Sequence, residues 1–295
     1  MTNAGPAPPV PTASAGGGEL TLRILSGLVL APVAVGVAYL GGWIFVAFWG
    51  IAALTVLWEW CTLVAEGERR TVLLTAGAAV LLTVLLAGAA APTPEGSHSV
   101  RLVAGGTLLV MGMLATAALA PSGRRIWTAA GIPYAGFIGM APIVLRNDAQ
   151  YGFLAIVFLF AVVWATDIVA YFVGRAVGGP KLAPRISPKK TWSGAIGGTI
   201  AAIAAALGVA MAAGLSDVTA LALVAAAASA LAQCGDLFES ALKRRFGAKD
   251  SGHLIPGHGG LMDRLDGFVA AAVLAAVIGL LHGGADQAAR GLLVW

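Results

Sequence analysis

Residues 153–173 read FLAIVFLFAVVWATDIVAYFV, an apolar run with a single charged side chain, Asp167. A helix rises about 1.5 Å per residue, so a run of this length crosses the roughly 30 Å hydrocarbon core of a bilayer. A carboxylate at such depth is costly unless it is paired or faces a polar cavity. The run therefore predicts a transmembrane helix, in which Asp167 either lines a substrate cavity or makes a structural hydrogen bond between helices.

The rest of the chain has the same apolar character. Of its 295 residues, 59% are hydrophobic and only 11% are charged, and the mean hydropathy is +0.88. Soluble domains carry about 25% charged residues, so this chain needs lipid as its solvent. The net charge of +4 is therefore not interpreted as a nucleic-acid-binding surface. The two cysteines, Cys61 and Cys234, are interpreted as small core residues.

Apolar runs of about 20 residues recur along the sequence. They cover residues 22–40, 42–64, 71–91, 100–120, 126–146, 150–173, 194–214, 218–237 and 267–284. We therefore predict an all-α integral membrane protein of about nine transmembrane helices. Residues 1–19, rich in proline and glycine, are predicted to be a disordered tail. Residues 20–150 are assigned to N-terminal membrane helices and residues 151–295 to a C-terminal catalytic region.

The distribution of basic residues predicts the orientation in the membrane. With a cytoplasmic N-terminus and an external C-terminus, only Arg101, Arg146 and Arg290 of the 18 lysines and arginines fall outside. This arrangement agrees with the positive-inside rule, and the opposite one violates it. Two long segments, 174–193 and 238–266, are then both cytoplasmic loops, and loops held on a rigid scaffold often carry function.

The first of these segments contains RISPKKTWSG, residues 185–194. Pro188 predicts a turn that brings two lysines beside the first residue of a helix, which Thr191 or Ser193 can cap. A helix N-terminus attracts anions through its free N–H groups, so the segment favours polyphosphate binding. The alternative is a basic loop that contacts lipid headgroups.

The second segment begins with a polar helical stripe. Asp236, Ser240 and Lys243 are spaced i, i+4 and i+7, which places them on one face of a helix. Asp236 lies near the cytoplasmic end of the eighth apolar run. A carboxylate and a lysine therefore point the same way at the membrane interface, and Lys249 and Asp250 follow them.

The second segment ends with IPGHGGLMDRLDG, residues 255–267. Gly259 and Gly260 allow backbone amides to approach a ligand closely, which predicts a second phosphate cradle. Asp263 and Asp266 present two carboxylates in the first turn of the ninth helix. They either complement the helix dipole or bind a hard cation, since Mg²⁺ takes one or two carboxylates together with substrate phosphates.

These features indicate one class of reaction. Carboxylates from two helix ends, Asp236 and Asp263, can share one divalent cation or a pair, while lysines and glycine amides surround a polyphosphate. The membrane supplies an amphipathic co-substrate. The residues therefore favour phosphoryl or nucleotidyl transfer onto a lipid.

The same residues carry a family resemblance. The stretch SALKRRFGAKDSGHLIPGHGGLMDRLD, residues 240–266, resembles the phosphatidate cytidylyltransferase (CDP-diacylglycerol synthase) family pattern at every fixed position. Two upstream pieces, residues 167–175 and 187–191, resemble that family's other motifs at fitting separations. The resemblance is strong over residues 167–268 and weak over the first 150 residues.

The resemblance implies that CTP and phosphatidic acid react to give CDP-diacylglycerol and pyrophosphate, with Mg²⁺ as the cofactor. It also implies a multi-pass enzyme of the inner (plasma) membrane, a cytoplasm-facing site and a homodimer. Asp236 and Asp263 are expected to hold the metal and, together with Lys243 and Arg264, to be catalytic. The residues expected to bind the substrates are Asp167, Ser187, Lys189, Lys190, Thr191, Ser240, Arg244, Lys249, Asp250, His258, Gly259, Gly260 and Asp266.

Two other functions are consistent with parts of the sequence. A nucleotidyltransferase that acts on another lipid phosphate or alcohol would carry the same nucleotide-binding motifs. A transporter would place polar residues within apolar helices, but transporters often show inverted repeats and broken helices at the membrane midplane. Here the polar residues gather at one face of the membrane, which favours the enzyme.

Overall fold

The computed structural model describes residues 16–64, 69–89, 97–252, 254 and 259–295. Over these residues the regular elements are helices and one short β-hairpin. The helices are α1 (Gly16–Leu40), α2 (Gly42–Val64), α3 (Arg69–Gly88), α4 (Ser97–Leu119), α5 (Arg125–Arg146), α6 (Gly152–Val177), α7 (Trp192–Ala212), α8 (Val218–Arg245), α9 (Met262–Gly283) and α10 (Ala288–Leu293). The strands are β1 (Lys181–Ala183) and β2 (Ser187–Thr191).

The predicted all-α membrane architecture is confirmed. In the described part of the chain, the eight helices α2 to α9 are long and apolar enough to cross a membrane, and α1 adds a shorter apolar segment, Gly27–Leu40. Helix α1 begins at Gly16, inside the segment for which the sequence predicted a disordered tail, and residues 1–15 lie outside the described residues. The orientation in the membrane stays a prediction.

Both segments predicted to be long loops are shorter than expected. Helix α6 continues to Val177, and α8 continues to Arg245, so residues 238–245 are helical. The sequence FESALKRR is rich in good helix formers, and Glu239 and Lys243 form an i, i+4 ion pair with a separation of 2.9 Å between Oε2 and Nζ. These residues therefore extend the helix beyond its apolar part.

The first basic segment forms a hairpin instead of an irregular turn. Strands β1 and β2 pair antiparallel, with Lys181 opposite Thr191 and Ala183 opposite Ser187. Pro188 lies in β2 and not in the turn, which a two-stranded sheet tolerates because both strands are edges. The predicted helix cap at Thr191 is confirmed, since its side chain accepts a hydrogen bond of 3.1 Å from the Gly194 amide.

Glycines allow close packing where the predicted site lies. A Cβ atom at Gly194 would lie 2.6 Å from the carbonyl oxygen of Ala170, and one at Gly198 would lie 2.7 Å from that of Thr166. Helices α6 and α7 therefore touch backbone to backbone, as small residues permit in membranes. Gly235 on α8 faces the backbone of Asp266 on α9 in the same way.

Candidate active site

An ion pair joins the β-hairpin to helix α8. Lys190, in β2, pairs with Asp236 on α8, and the side chain of Asp236 also accepts a 3.4 Å hydrogen bond from Ser240. The helical stripe expected from the spacing of these residues is therefore present. Thr191 fixes the end of β2 as the cap of α7, so the hairpin and the helix together place Lys190 against α8.

A second lysine bridges two acids on different helices. The Nζ atom of Lys243 on α8 lies 2.9 Å from Glu239 Oε2 and 2.5 Å from Asp263 Oδ1 on α9. Glu239 is buried, with 1% of its surface exposed. In so dry an environment a lone carboxylate is costly, and Lys243 supplies the charge that allows two of them to lie close together.

Backbone and side-chain donors hold the other oxygen of Asp263. Its Oδ2 atom accepts hydrogen bonds from the Gly260 amide at 2.8 Å, the Ser251 hydroxyl at 3.0 Å and the Ser251 amide at 3.1 Å. The Gly260 amide, predicted to cradle a phosphate, therefore donates to Asp263 in this structure. Gly259 adopts a positive φ of 81°, and a Cβ atom there would lie 2.9 Å from Asp263 Oδ2, so the glycines make room for the acid.

Two further carboxylates of the motifs, those of Asp167 and Asp266, lie within electrostatic range of Asp236. Asp167, exposed on α6, is within electrostatic range of Asp236, Lys190 and Arg264. Asp266, on α9, interacts with Asp236 and Asp167. The structure thus brings together acids from α6, α8 and α9 that the sequence separates by up to about 100 positions.

A buried aromatic residue, Tyr134, lies near the acids. The buried hydroxyl of Tyr134 on α5 is within electrostatic range of Asp236, Glu239, Asp263 and Asp266. The ring of Tyr134 packs against Trp60 with centroids 5.0 Å apart. Its hydroxyl is buried and has no hydrogen-bond partner among the described residues.

Other predicted residues lie outside this contact network. Arg244 is exposed and donates to the Ala248 carbonyl at 3.1 Å. Four more of the predicted site residues make no hydrogen bond or ion pair with the acids in the described part of the chain. They are Ser187, Lys189, Lys249 and Asp250. Lys189, Lys249 and Asp250 are exposed, so a ligand can reach them. His258 lies outside the described residues.

Sequence reasoning missed three residues of the site. Glu239 lies four positions before Lys243 and three after Asp236, so helical spacing alone would have found it. Tyr134 and Ser251 carried no such signal, because they reach the site only through tertiary packing. Glu59 on α2 is fully buried and accepts hydrogen bonds from the amides of Leu261 and Met262, where α9 begins.

The donor set suits a divalent cation only in part. In the described ranges, no group of three or more His, Cys, Asp or Glu side chains converges on a point where it could hold a metal ion. Asp236 and Asp263 each face a lysine, and the buried Oε1 atom of Glu239 has no hydrogen-bond partner among the described residues. These carboxylates do not form a complete set of protein ligands for a metal ion. They fit Mg²⁺, which takes one or two carboxylates together with substrate phosphates.

The chain is similar to known proteins over most of its length. A model of the cytidylyltransferase family matches residues 21–282. A phosphatidate cytidylyltransferase of Brucella abortus biovar 1 (strain 9-941) is 42% identical over 274 residues, covering 91% of this chain and 96% of that relative. One from Pseudomonas aeruginosa is 37% identical over 266 residues, covering 85% and 94%. One from Bacillus subtilis is 45% identical over 128 residues, covering 43% and 48%.

The family match extends from α1 to α9 and includes all the acids of the site, which are Asp167, Asp236, Glu239, Asp263 and Asp266. It therefore confirms the resemblance carried by the motifs, and it confirms that the chain is a membrane-embedded nucleotidyltransferase. The chain belongs to the cytidylyltransferase family.

Proposed function

We propose that this protein transfers CMP from CTP to phosphatidic acid, giving CDP-diacylglycerol and pyrophosphate. The observation that carries the proposal is the pairing of two lysines with acids on neighbouring membrane helices, Lys190 with Asp236 and Lys243 with Asp263. Lysines that already lie beside carboxylates can turn to phosphate oxygens, and the carboxylates can then meet a cation. The relatives that share most of the chain are named for this activity.

The reaction needs little proton transfer from the protein. An oxygen of the lipid phosphate attacks the α-phosphorus of CTP and forms a new P–O bond, while the bond to the bridging oxygen breaks and pyrophosphate leaves. A phosphate monoester has a second pKa of about 6, so it is largely ionised at pH 7. The protein therefore contributes chiefly by positioning the two reactants and by neutralising their charge.

Each group of residues has a distinct task in this reaction. Lys190, which pairs with Asp236, and Lys243, which pairs with Asp263, neutralise the triphosphate and the lipid phosphate. Exposed Lys189, Arg244 and Arg264 add positive charge at the rim. Asp236 and Asp263 would hold Mg²⁺, which when bound supplies charge stabilisation to the phosphate oxygens.

The lipid is proposed to enter beside α6. Two exposed apolar side chains, Ile168 and Phe172, follow Asp167 on that helix, and Trp192 and Ile196 on α7 are also exposed. Such a surface lies in contact with acyl chains when the helices are in a bilayer. A lipid at this surface would present its headgroup to the acids without leaving the membrane.

The location of the protein is also proposed. The structure shows multiple membrane helices, and bacterial relatives support an inner-membrane location. The concentration of basic residues on one side supports a site that faces the cytoplasm. A homodimer is proposed from the family resemblance, and the mass of the protein–detergent complex in light scattering tests it.

The decisive experiment follows labelled CTP into lipid. Purified protein is incubated with phosphatidic acid, with and without Mg²⁺, and chloroform-soluble label is counted. Label that requires both components supports the proposal. Label that appears only with another lipid phosphate would assign a different acceptor, and no label with any acceptor, in folded protein, would reject nucleotidyl transfer onto lipid.

A further inference from the structure

A buried carboxylate on α2 contacts the first residues of α9. Glu59 has 0% of its surface exposed. Its Oε1 atom accepts a hydrogen bond from the Leu261 amide at 2.8 Å, and its Oε2 atom accepts one from the Met262 amide at 2.7 Å. These partners are more than 200 positions away in the sequence.

The contact supplies a helix cap from a different helix. The first amides of a helix have no intrahelical partner, and a side chain at the N-cap usually satisfies one of them. Leu261, the N-cap residue of α9, has an apolar side chain and makes no such bond. Glu59 takes over this role, and its negative charge suits the positive end of the α9 dipole.

The backbone closes around the Glu59 carboxylate. A Cβ atom at Gly252 would lie 3.0 Å from Glu59 Oε1, and one at Gly260 would lie 2.8 Å from the same oxygen. The Ser251 hydroxyl lies 3.4 Å from Glu59 Oε2 and 3.0 Å from Asp263 Oδ2, so it links the two acids. Glu59 and Asp263 are therefore connected through two residues, Ser251 and Gly260, each of which lies against both carboxylates.

We infer that Glu59 is a positioning residue that sets the place of the Asp263 carboxylate and thereby the affinity of the site for a divalent cation. This inference rests on the proposed function, because Asp263 is there assigned to the metal. Glu59 itself contacts backbone amides and the Ser251 hydroxyl, and its role is to fix where α9 begins. The N-terminal helices would thus take part in building the site.

The substitution Glu59→Gln tests this role with little change of shape. Glutamine keeps one acceptor oxygen but places an NH₂ group against one of the two amides. The matched control is Thr83→Val, because Thr83 is equally buried and its hydroxyl makes an interhelical bond of 3.0 Å to the Gly105 carbonyl, away from the site. Both variants lose buried hydrogen bonds, but only one loses the cap of α9.

Two measurements on the full-length protein in detergent do not depend on turnover. Hydrogen–deuterium exchange reports on the amides of Leu261 and Met262, and electron paramagnetic resonance measures the binding of Mn²⁺ alone. We expect Glu59→Gln to speed amide exchange and to raise the half-saturating Mn²⁺ concentration, each by about tenfold, the effect of about 1.4 kcal/mol. Thr83→Val should leave both at wild-type values.

A second variant covers the case in which Glu59→Gln does not fold. Glu59→Asp keeps the charge and both oxygens but withdraws them by one methylene. In folded Glu59→Asp protein, exchange at Leu261 and Met262 should still be faster and Mn²⁺ binding weaker than in wild type.

The outcomes separate the inference from the proposed function. Unchanged exchange and Mn²⁺ binding in a folded Glu59 variant, or equal changes in Thr83→Val, would overturn the inference. A wild-type protein that binds Mn²⁺ but transfers no CMP would reject the proposed function, while weakened Mn²⁺ binding in the Glu59 variants would still support the inference.

Discussion

Lys190 and Asp236 are 46 positions apart in the chain, yet their side chains form an ion pair that joins the β-hairpin to helix α8. The hairpin is the only sheet among the described residues, and its strand β2 leads directly into the capped first turn of α7. The position of Lys190 is therefore set by secondary structure on both sides. A lysine held in this way is suited to binding a phosphate at a defined distance from the acids.

Asp236→Asn should abolish most CMP transfer while the protein stays folded. The asparagine keeps the shape of the side chain but removes the charge that faces Lys190 and that would meet the cation. We expect turnover to fall by roughly 10²–10³-fold, as for removal of one electrostatic group from a preorganised site. Initial rates with labelled CTP give the loss, and an unchanged melting temperature in detergent serves as the control. Near-normal turnover would refute the assignment of Asp236 to the metal.

Lys190→Ala should weaken the use of CTP. Removal of the side chain leaves Asp236 without its counterion and removes a charge from the proposed triphosphate site, so kcat/KM for CTP should fall by at least about tenfold. Lys181→Ala is the matched control, because Lys181 lies in the same hairpin, is exposed and is not paired with the acids. Equal losses in the two variants would mean that the hairpin acts only through its overall charge.

Lys243→Met should destabilise the fold more than Arg244→Met. Lys243 is the counterion of Glu239 and Asp263, whereas Arg244 is exposed and, within the described part of the chain, donates to the nearby Ala248 carbonyl. Removal of one partner from a buried charge cluster costs about 3–5 kcal/mol, whereas an exposed arginine contributes about 1 kcal/mol or less. Thermal unfolding of both purified variants measures the difference, and similar melting temperatures would contradict it.

Gly198→Ala should loosen the packing of α6 against α7. The added methyl group would lie 2.7 Å from the Thr166 carbonyl oxygen, so the helices would have to move apart. Overpacking of this kind costs about 1–3 kcal/mol. Gly208→Ala is the control on the same helix, since a Cβ atom there meets nothing within 4 Å. A melting temperature that falls only in Gly198→Ala would confirm the close approach of the two backbones.

Much of the fold could be predicted from the sequence because membrane helices are specified by local hydrophobicity. The runs at 42–64 and 126–146 agree with α2 and α5 to within one residue at either end. Hydropathy did not predict the ends that lie outside the apolar runs, and at α8 only the spacing of Asp236, Ser240 and Lys243 indicated a helix there. Helix α8 extends to Arg245 because polar helix formers and the Glu239–Lys243 pair prolong it, and hydropathy detects neither.

The site was predictable only where its residues share a local motif. Asp236, Ser240 and Lys243 follow helical spacing, and Thr191 immediately precedes its helix, so the sequence indicates both arrangements. The position of Tyr134 depends on how α5 packs against the neighbouring helices, and no local spacing reports such packing. Pro188 was assigned to a turn because proline favours turns, but in a strand with no neighbour on one side its missing N–H costs little.

The two lysine–carboxylate pairs have a consequence for the order of events at the site. Lys190 and Lys243 serve as counterions to Asp236 and Asp263. A lysine that turned to a phosphate oxygen would leave its carboxylate available to hold a cation, and a carboxylate engaged in that way would leave the lysine available to the phosphate. Nucleotide and metal should therefore bind cooperatively, and by reciprocity each should raise the affinity for the other by the same factor.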